Sequence, residues 1–219
     1  MSIVRLLSPL VPILNPKDTI SKALDIMDEN DFSQLPVVVD ENYLGLLKEN
    51  ELMDFDKPEL EISESGLLIF KPAISLSSHP YEALRIVNEM NLGVLPVIDG
   101  ENKYAGSVTK DSLLKYMAEK SGLEAPGGII VLEMERNNYS LYQIARICEN
   151  EDVTVINAQI YTTPVGMIEV TLKTNRTALD PLVSSFERHG YAVKEVFGET
   201  KDMEDLMGKY NLLMNYLNM

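Results

Sequence analysis

The chain holds a single cysteine, Cys148, so no internal disulfide can form and a reducing cytoplasm is the expected location. The surrounding LYQIARICENE reads as a helix with Cys148 near its end. No histidine lies nearby in sequence, so Cys148 is expected to be a buried structural thiol and not a nucleophile. Histidine is almost as scarce, at two residues. His79 precedes Pro80 in a helix lead-in, and His189 precedes Gly190, a common position for a cation at a helix C-terminus. With no His-x-x-x-His or Cys-x-x-Cys spacing, no metal site is expected. There is no Gly-rich phosphate loop and no Gly-x-Ser-x-Gly elbow. Paired carboxylates abound, but an acidic chain yields them by chance, so the chain is not expected to be an enzyme.

Basic residues are also short, 19 against 34 acidic, for a net charge of −15. That excess opposes nucleic acid, where a basic surface supplies most of the affinity, and opposes anionic membranes; it favours solubility. The apolar opening MSIVRLLSPLVPIL is brief and broken by Pro9 and Pro12, which predicts neither a signal peptide nor a membrane span. At 219 residues and 45% hydrophobic, the chain is long enough for a sizeable core and for one or two globular domains.

What is present is a repeat. PILNPKDTISKALDIMDENDFSQLPVVVDENYLGLLKENELM from Pro12 is answered by PAISLSSHPYEALRIVNEMNLGVLPVIDGENKYAGSVTKDSLLKYM from Pro72. The offset of sixty carries Ala23-Leu24 onto Ala83-Leu84 and Leu35-Pro36-Val37 onto Leu95-Pro96-Val97; past the second turn it is sixty-one, so Gly45 matches Gly106. In the first copy, residues 2–7 form a lead-in helix or strand, and Val11 to Leu14 is extended. Asp18 or Thr19 caps a helix whose apolar face is Ile20, Ala23, Leu24 and Met27. Leu35 to Val39 is a buried strand, Asp40 to Asn42 a turn, Tyr43 to Leu47 the returning strand, and Glu49 to Met53 a second helix. In the second copy Ile74 to Leu76 is extended, and Ser78 caps a helix with Pro80 in its first turn and Ala83, Leu84, Val87 and Met90 on its face. Leu95 to Ile98 and Tyr104 to Val108 are strands, and a helix runs from Lys110 to Ser121. Residues 54–68, acidic and containing Pro58 and Gly66, read as a solvated linker.

Two helix–strand–strand–helix units, each with an apolar-Pro-Val-apolar strand, an acidic turn and a Gly in the next strand, resemble a cystathionine-β-synthase (CBS) domain pair. The resemblance covers residues 1–121, with repeat 1 at about 1–56 and repeat 2 at about 68–121. It implies a pseudo-symmetric Bateman module with two clefts, which in many members bind AMP, ADP, ATP or S-adenosylmethionine and regulate another protein. The family's ligand signature is Gly-apolar-x-Thr/Ser-x-x-Asp; a Thr hydroxyl donates to phosphate and a carboxylate accepts from ribose hydroxyls. The second copy has Thr109 in place, Ser112 at the ribose Asp position and Asp111 one residue early, about 100° round a helix start. In the first copy Lys48 and Glu51 hold the Thr and Asp positions. Ile74, Leu95 and Val97 would wall an adenine. Thr109 and Asp111 also fit a helix N-cap with a first-turn acid, and both readings stay open.

After the linker at 124–128 the pattern changes. Ile129 to Met134 is a strand. Ser140 caps a helix with Leu141, Ile144, Ala145 and Cys148 on one face. Val153 to Tyr161 and Met167 to Lys173 alternate, Thr177 opens a helix with Leu179, Leu182, Val183 and Phe186 inward, and Tyr191 to Phe197 is the last strand. This β-α-β-β-α-β order over 127–200 is ferredoxin-like and resembles an ACT domain. A CBS pair followed by such a domain resembles the acetoin-utilisation type of CBS–ACT protein. ACT domains carry Asp/Asn-x-x-Gly in the first strand–helix turn; here Arg136 to Ser140 has no Gly. Residues 201–219, with Leu206, Tyr210, Leu213 and Leu217 at helical spacing, form an amphipathic tail that either docks on its own domain or meets a partner helix. The fold class expected is α+β. The function expected is a cytoplasmic, homo-oligomeric sensor of an adenosine-containing ligand, with a ligand-free interaction scaffold as the alternative.

Overall fold

The computed structural model describes residues 3–198, which divide into two compact units between Met117 and Ala118. The tail expected over 201–219 lies outside the described residues.

In the first unit, helix α1 (Ile20–Glu29) starts where the Thr19 hydroxyl accepts the Lys22 amide at 3.2 Å, meeting one of the donors a helix start leaves unpaired. It buries Ile20, Ala23 and Met27. Strands β1 (Gln34–Val39) and β2 (Asn42–Lys48) form an antiparallel hairpin, followed by α2 (Glu49–Met53). The second copy repeats this as β3 (Ile74–Ser75), α3 (Pro80–Met90), β4 (Val94–Ile98), β5 (Tyr104–Thr109) and α4 (Lys110–Lys120). The mirroring extends to fine detail. Each hairpin slips register at the same place, between Val37 and Val38 and between Val97 and Ile98. Leu14 pairs parallel with Val37 as Ile74 does with Val97. The second helix cap differs from expectation: His79, not Ser78, is the N-cap, with Nδ1 accepting the Tyr81 amide at 3.2 Å. Pro80 fixes the first helical position, so the residue before it must cap. Met90, in the last turn of α3, is exposed rather than inward.

Residues 54–68 are not a solvated linker. Ile62 is fully buried, and Phe55, Leu67 and Leu68 pack on the first repeat's core. The Ile20 amide donates to Leu60, and the amides of Ile62 and Ser63 donate to Asp18 and Pro16, at 2.9–3.1 Å. A few apolar side chains within an acidic stretch suffice to bind it to the fold, because its backbone groups find protein partners.

The repeats interlock. Val94 of the second copy sits in the first copy's core, and Leu46 of the first sits in the second's, beside Ile3. Two arms run alongside the hairpins: Ser8 donates its amide to Ser107 at 2.8 Å, and Leu46 donates to Phe70 at 2.9 Å. The repeated glycines make room for these arms. A Cβ on Gly106 would meet Leu7 at 3.2 Å, and one on Gly45 would meet the Phe70 carbonyl at 3.2 Å.

The second unit comprises β6 (Ile129–Met134), α5 (Leu141–Asn150), β7 (Val155–Thr162), β8 (Ile168–Thr174), α6 (Asp180–Arg188) and β9 (Ala192–Phe197). The strands lie in the order β7-β8-β6-β9, every pair antiparallel, which is the ferredoxin-like arrangement. Ser140 caps α5. The inward face of α5 is Ile144, Ile147 and Cys148, while Leu141 is exposed. Helix α6 opens at Asp180, three residues later than expected, with Leu179 as a cap lacking a side-chain bond and Pro181 in the first turn. One core joins both helices to the sheet through Ile130, Leu132, Ile144, Val170, Leu172 and Phe186.

Candidate functional site

Within the first unit the entries to β1 and β4 meet. Gln34 ties them: its Oε1 accepts the Gly93 amide at 2.9 Å and its Nε2 donates to the Asn91 carbonyl at 3.4 Å. Each repeat also anchors the helix after its hairpin to its own strand entry, Glu49 donating to Ser33 and Lys110 to Gly93, both at 2.9 Å. This brings the first turn of α4 against the other repeat's strand entry and opens a cleft of about 390 Å³. Its polar walls are Ser8 from the arm, Asp31, Ser33 and Gln34 from the first repeat, and Thr109, Lys110 and Asp111 from the second; Leu10, Phe32 and Val94 supply apolar surface. The charged groups are two carboxylates and one ammonium, set at the positive end of an eleven-residue helix.

Of the residues singled out from the sequence, Thr109 and Asp111 line this cleft. Ser112 does not, and its hydroxyl is engaged: it accepts the Thr109 amide at 3.1 Å and donates to the Thr109 carbonyl at 2.9 Å, while Thr109 Oγ1 accepts the Ser112 amide at 3.1 Å. This is a reciprocal cap of the capping-box kind, with Ser in the place of Glu. Ile74, Leu95 and Val97, expected as adenine walls, are core residues with exposures of 4%, 0% and 0%; β4 lies between β3 and β5, and its side chains are spent on Ala83, Val87 and Leu113. Lys48 and Glu51 pair with each other at 3.3 Å, and the Lys48 ammonium lies 4.3 Å from the centre of the Phe70 ring. Sequence reasoning missed Ser8, Asp31, Ser33 and Gln34. Gln34 had a signal: aligned with Val94, it is a polar residue opening one of two otherwise apolar strands.

Two mated tyrosines sit behind the hairpins. The Tyr43 hydroxyl donates to the Pro72 carbonyl at 2.9 Å, and that of Tyr104 bonds Ser107 Oγ at 2.8 Å. Burial pushes both phenols up. In the second unit, the glycine-free turn at Arg136–Asn138 borders a cavity of about 470 Å³ that also takes in Ser140, Gln143, His189 and Tyr191. The Tyr191 hydroxyl donates to Gln143 at 3.1 Å, and His189 Nδ1 sits 2.7 Å from the Ser185 carbonyl. Burial raises Cys148 to about 11, so the thiol stays protonated near neutral pH. Among the described residues no group of three or more His, Cys, Asp or Glu is placed to hold a metal ion, and no helix is long and apolar enough to cross a membrane.

A doubled helix–hairpin–helix unit that shares a cleft, followed by a ferredoxin-like unit, defines a two-module α+β protein. Comparison with known families names the first module: the CBS domain matches residues 5–57 and again residues 70–119, so the first half is a CBS pair, while the second unit shows the ferredoxin-like strand order. An uncharacterized protein of Methanocaldococcus jannaschii is 26% identical over 111 residues. That alignment takes in 49% of this chain but only 36% of the relative's length. Among solved structures, a CBS domain pair/ACT domain protein from Thermotoga maritima superposes with a TM-score of 0.50 at 18% identity, over 54% of this chain and 98% of that one. The CBS-pair protein CBSX2 of Arabidopsis thaliana, in complex with AMP, gives a TM-score of 0.48 at 19% identity, over 54% of this chain and 96% of that one. At 18% identity the likeness to the Thermotoga maritima protein is one of fold.

Proposed function

We propose that this chain is a cytoplasmic regulatory protein whose CBS pair takes an adenosine-containing ligand in the cleft at Thr109–Asp111, while the ACT-like unit transmits the signal or pairs with a second copy. The observation that carries the reading is the cleft itself. Its volume of about 390 Å³ falls in the range of small-molecule sites, roughly 300–1,000 Å³, and it combines apolar surface with hydroxyls, carboxylates and a helix N-terminus. Asp31 or Asp111 can accept from ribose hydroxyls, and the first turn of α4 with Lys110 suits a single phosphate or carboxylate. Two carboxylates against one lysine oppose a triphosphate. A monophosphate, or the cationic S-adenosylmethionine, therefore suits the cleft better than ATP. A thermal-shift screen of adenosine, AMP, ADP, ATP and S-adenosylmethionine on the full chain tests the reading; no shift with any of them removes it.

The second reading is a ligand-free scaffold that acts on a separate partner protein. The Thr109–Ser112 cap favours it, because both hydroxyls of the altered signature already have backbone partners. In either reading the protein acts by association and not by catalysis, as a homo-oligomer. Light scattering giving a monomer mass at micromolar concentration would remove that part, and deletion of residues 201–219 should weaken the assembly if the tail contributes.

A further inference from the structure

The two halves of the pair are near copies, yet three positions that match the open cleft carry bulkier or more buried side chains on the other side. Ser8 and Leu10, on the wall of the open cleft, match Leu68 and Phe70 at the sixty-residue offset. A serine on one side is thus a leucine packed on the first repeat's core, and an exposed leucine is a half-buried phenyl ring. Thr109 is likewise matched by Lys48, whose ammonium lies 4.3 Å from the centre of that ring while Glu51 holds it at 3.3 Å. The ring is half-buried and packs against the second repeat's core. Lys48, with a side-chain exposure of 29%, is therefore held between the face of an aromatic ring and a carboxylate. These two contacts reinforce each other, since a ring face and a carboxylate both attract a cation.

We infer that Phe70 and Lys48 form a built-in plug of the first repeat's cleft, so that the protein offers one ligand site per chain where the fold provides for two, and that Phe70 determines this stoichiometry. The site count rests on the adenosine reading above; the plug rests on geometry alone. The plug explains why the signature of the first repeat departs furthest from Thr-x-x-Asp. Its Lys and Glu bind each other and the arm, so they are not left facing an empty cleft.

The test uses the full chain and AMP as probe, with melting curves to show that each variant is folded. Calorimetry should give one site in the wild type and two in Phe70→Ser/Lys48→Thr. Two sites in the wild type, or one in the double variant, would overturn the plug. Should the wild type bind no AMP, the adenosine reading of the open cleft fails separately. The plug is then decided by a ligand-free measurement, the rate at which a small thiosulfonate labels Lys48→Cys with and without the ring. Removing it with Phe70→Ser, or with the milder Phe70→Leu should the first not fold, should speed labelling several-fold. Cys148 is buried and protonated and stays silent. Equal rates would overturn the plug whatever AMP does.

Discussion

Thr109 and Ser112 cap each other: the Thr109 hydroxyl accepts the Ser112 amide and the Ser112 hydroxyl accepts the Thr109 amide, each at 3.1 Å. The pair sits where the second repeat turns from β5 into α4, at the edge of the open cleft. One interaction thus serves helix stability and sets what the cleft has left to offer a ligand. Thr109→Ala removes half of it. Loss of an N-cap costs about 1 kcal/mol, and in a chain of this size that lowers Tm by about 2–4 °C. A melting curve unchanged by Thr109→Ala would show that the cap contributes nothing and that the hydroxyl is free for other work.

The second unit has a strict backbone requirement at Gly127, which takes φ of +150° and whose Cβ, if it had one, would overlap the Thr174 carbonyl. Backbone cannot yield as a flexible side chain does. Gly127→Ala should therefore cost well above the ~1 kcal/mol centre of the point-substitution range. Urea unfolding of Gly127→Ala beside Gly100→Ala, a position with open space around it, measures the contrast. Equal midpoints would contradict the close approach.

Burial raises Cys148 from 9.0 to about 11. The folded state then holds its proton more tightly than the unfolded chain, so its contribution is fully present below pH 9.0 and is lost as pH rises toward about 11. Burial raises Tyr43 and Tyr104 in the same sense. Tm should fall across that alkaline window, and Cys148→Ala should flatten part of the fall. The same burial predicts slow reaction with a thiol reagent in the native protein and fast reaction on unfolding. A native rate equal to the unfolded one would place the thiol at the surface.

Much of this architecture is legible in the chain. The sixty-residue offset sets the two CBS copies side by side, and the alternation after residue 128 spells out the ferredoxin-like strand order, because burial of one face per element leaves its period in the sequence. The acidic stretch at 54–68 was not legible, since Ile62, Leu67 and Leu68 are too few to show a period, and the cluster they join reaches back to Val11, more than forty residues away. The cleft was half legible. Thr109 and Asp111 follow from the signature. Ser8, Asp31 and Gln34 come from an arm, a helix end and a strand entry, and only the folded pairing of the two repeats brings them together. Ile74, Leu95 and Val97 illustrate the opposite limit: an apolar residue beside a motif can as well be core as wall, and the central position of β4 made them core.

Titration of AMP and S-adenosylmethionine into the full chain, wild type beside Asp111→Asn, tests the sensor reading most directly. Asp111 lines the cleft, and its carboxylate can accept from ribose hydroxyls. A charge-assisted hydrogen bond is worth about 1.5–3 kcal/mol, or roughly one to two decades of affinity. The wild type should bind weakly, with a Kd of roughly tens of micromolar or above, and Asp111→Asn should weaken it further by about that factor. Near saturation at roughly 100 times Kd, the wild type should gain about 2.7 kcal/mol of stability, visible as a rise in Tm. If neither protein responds to either compound at millimolar concentration, the cleft is not an adenosine-ligand site, and the ligand-free scaffold is the correct account.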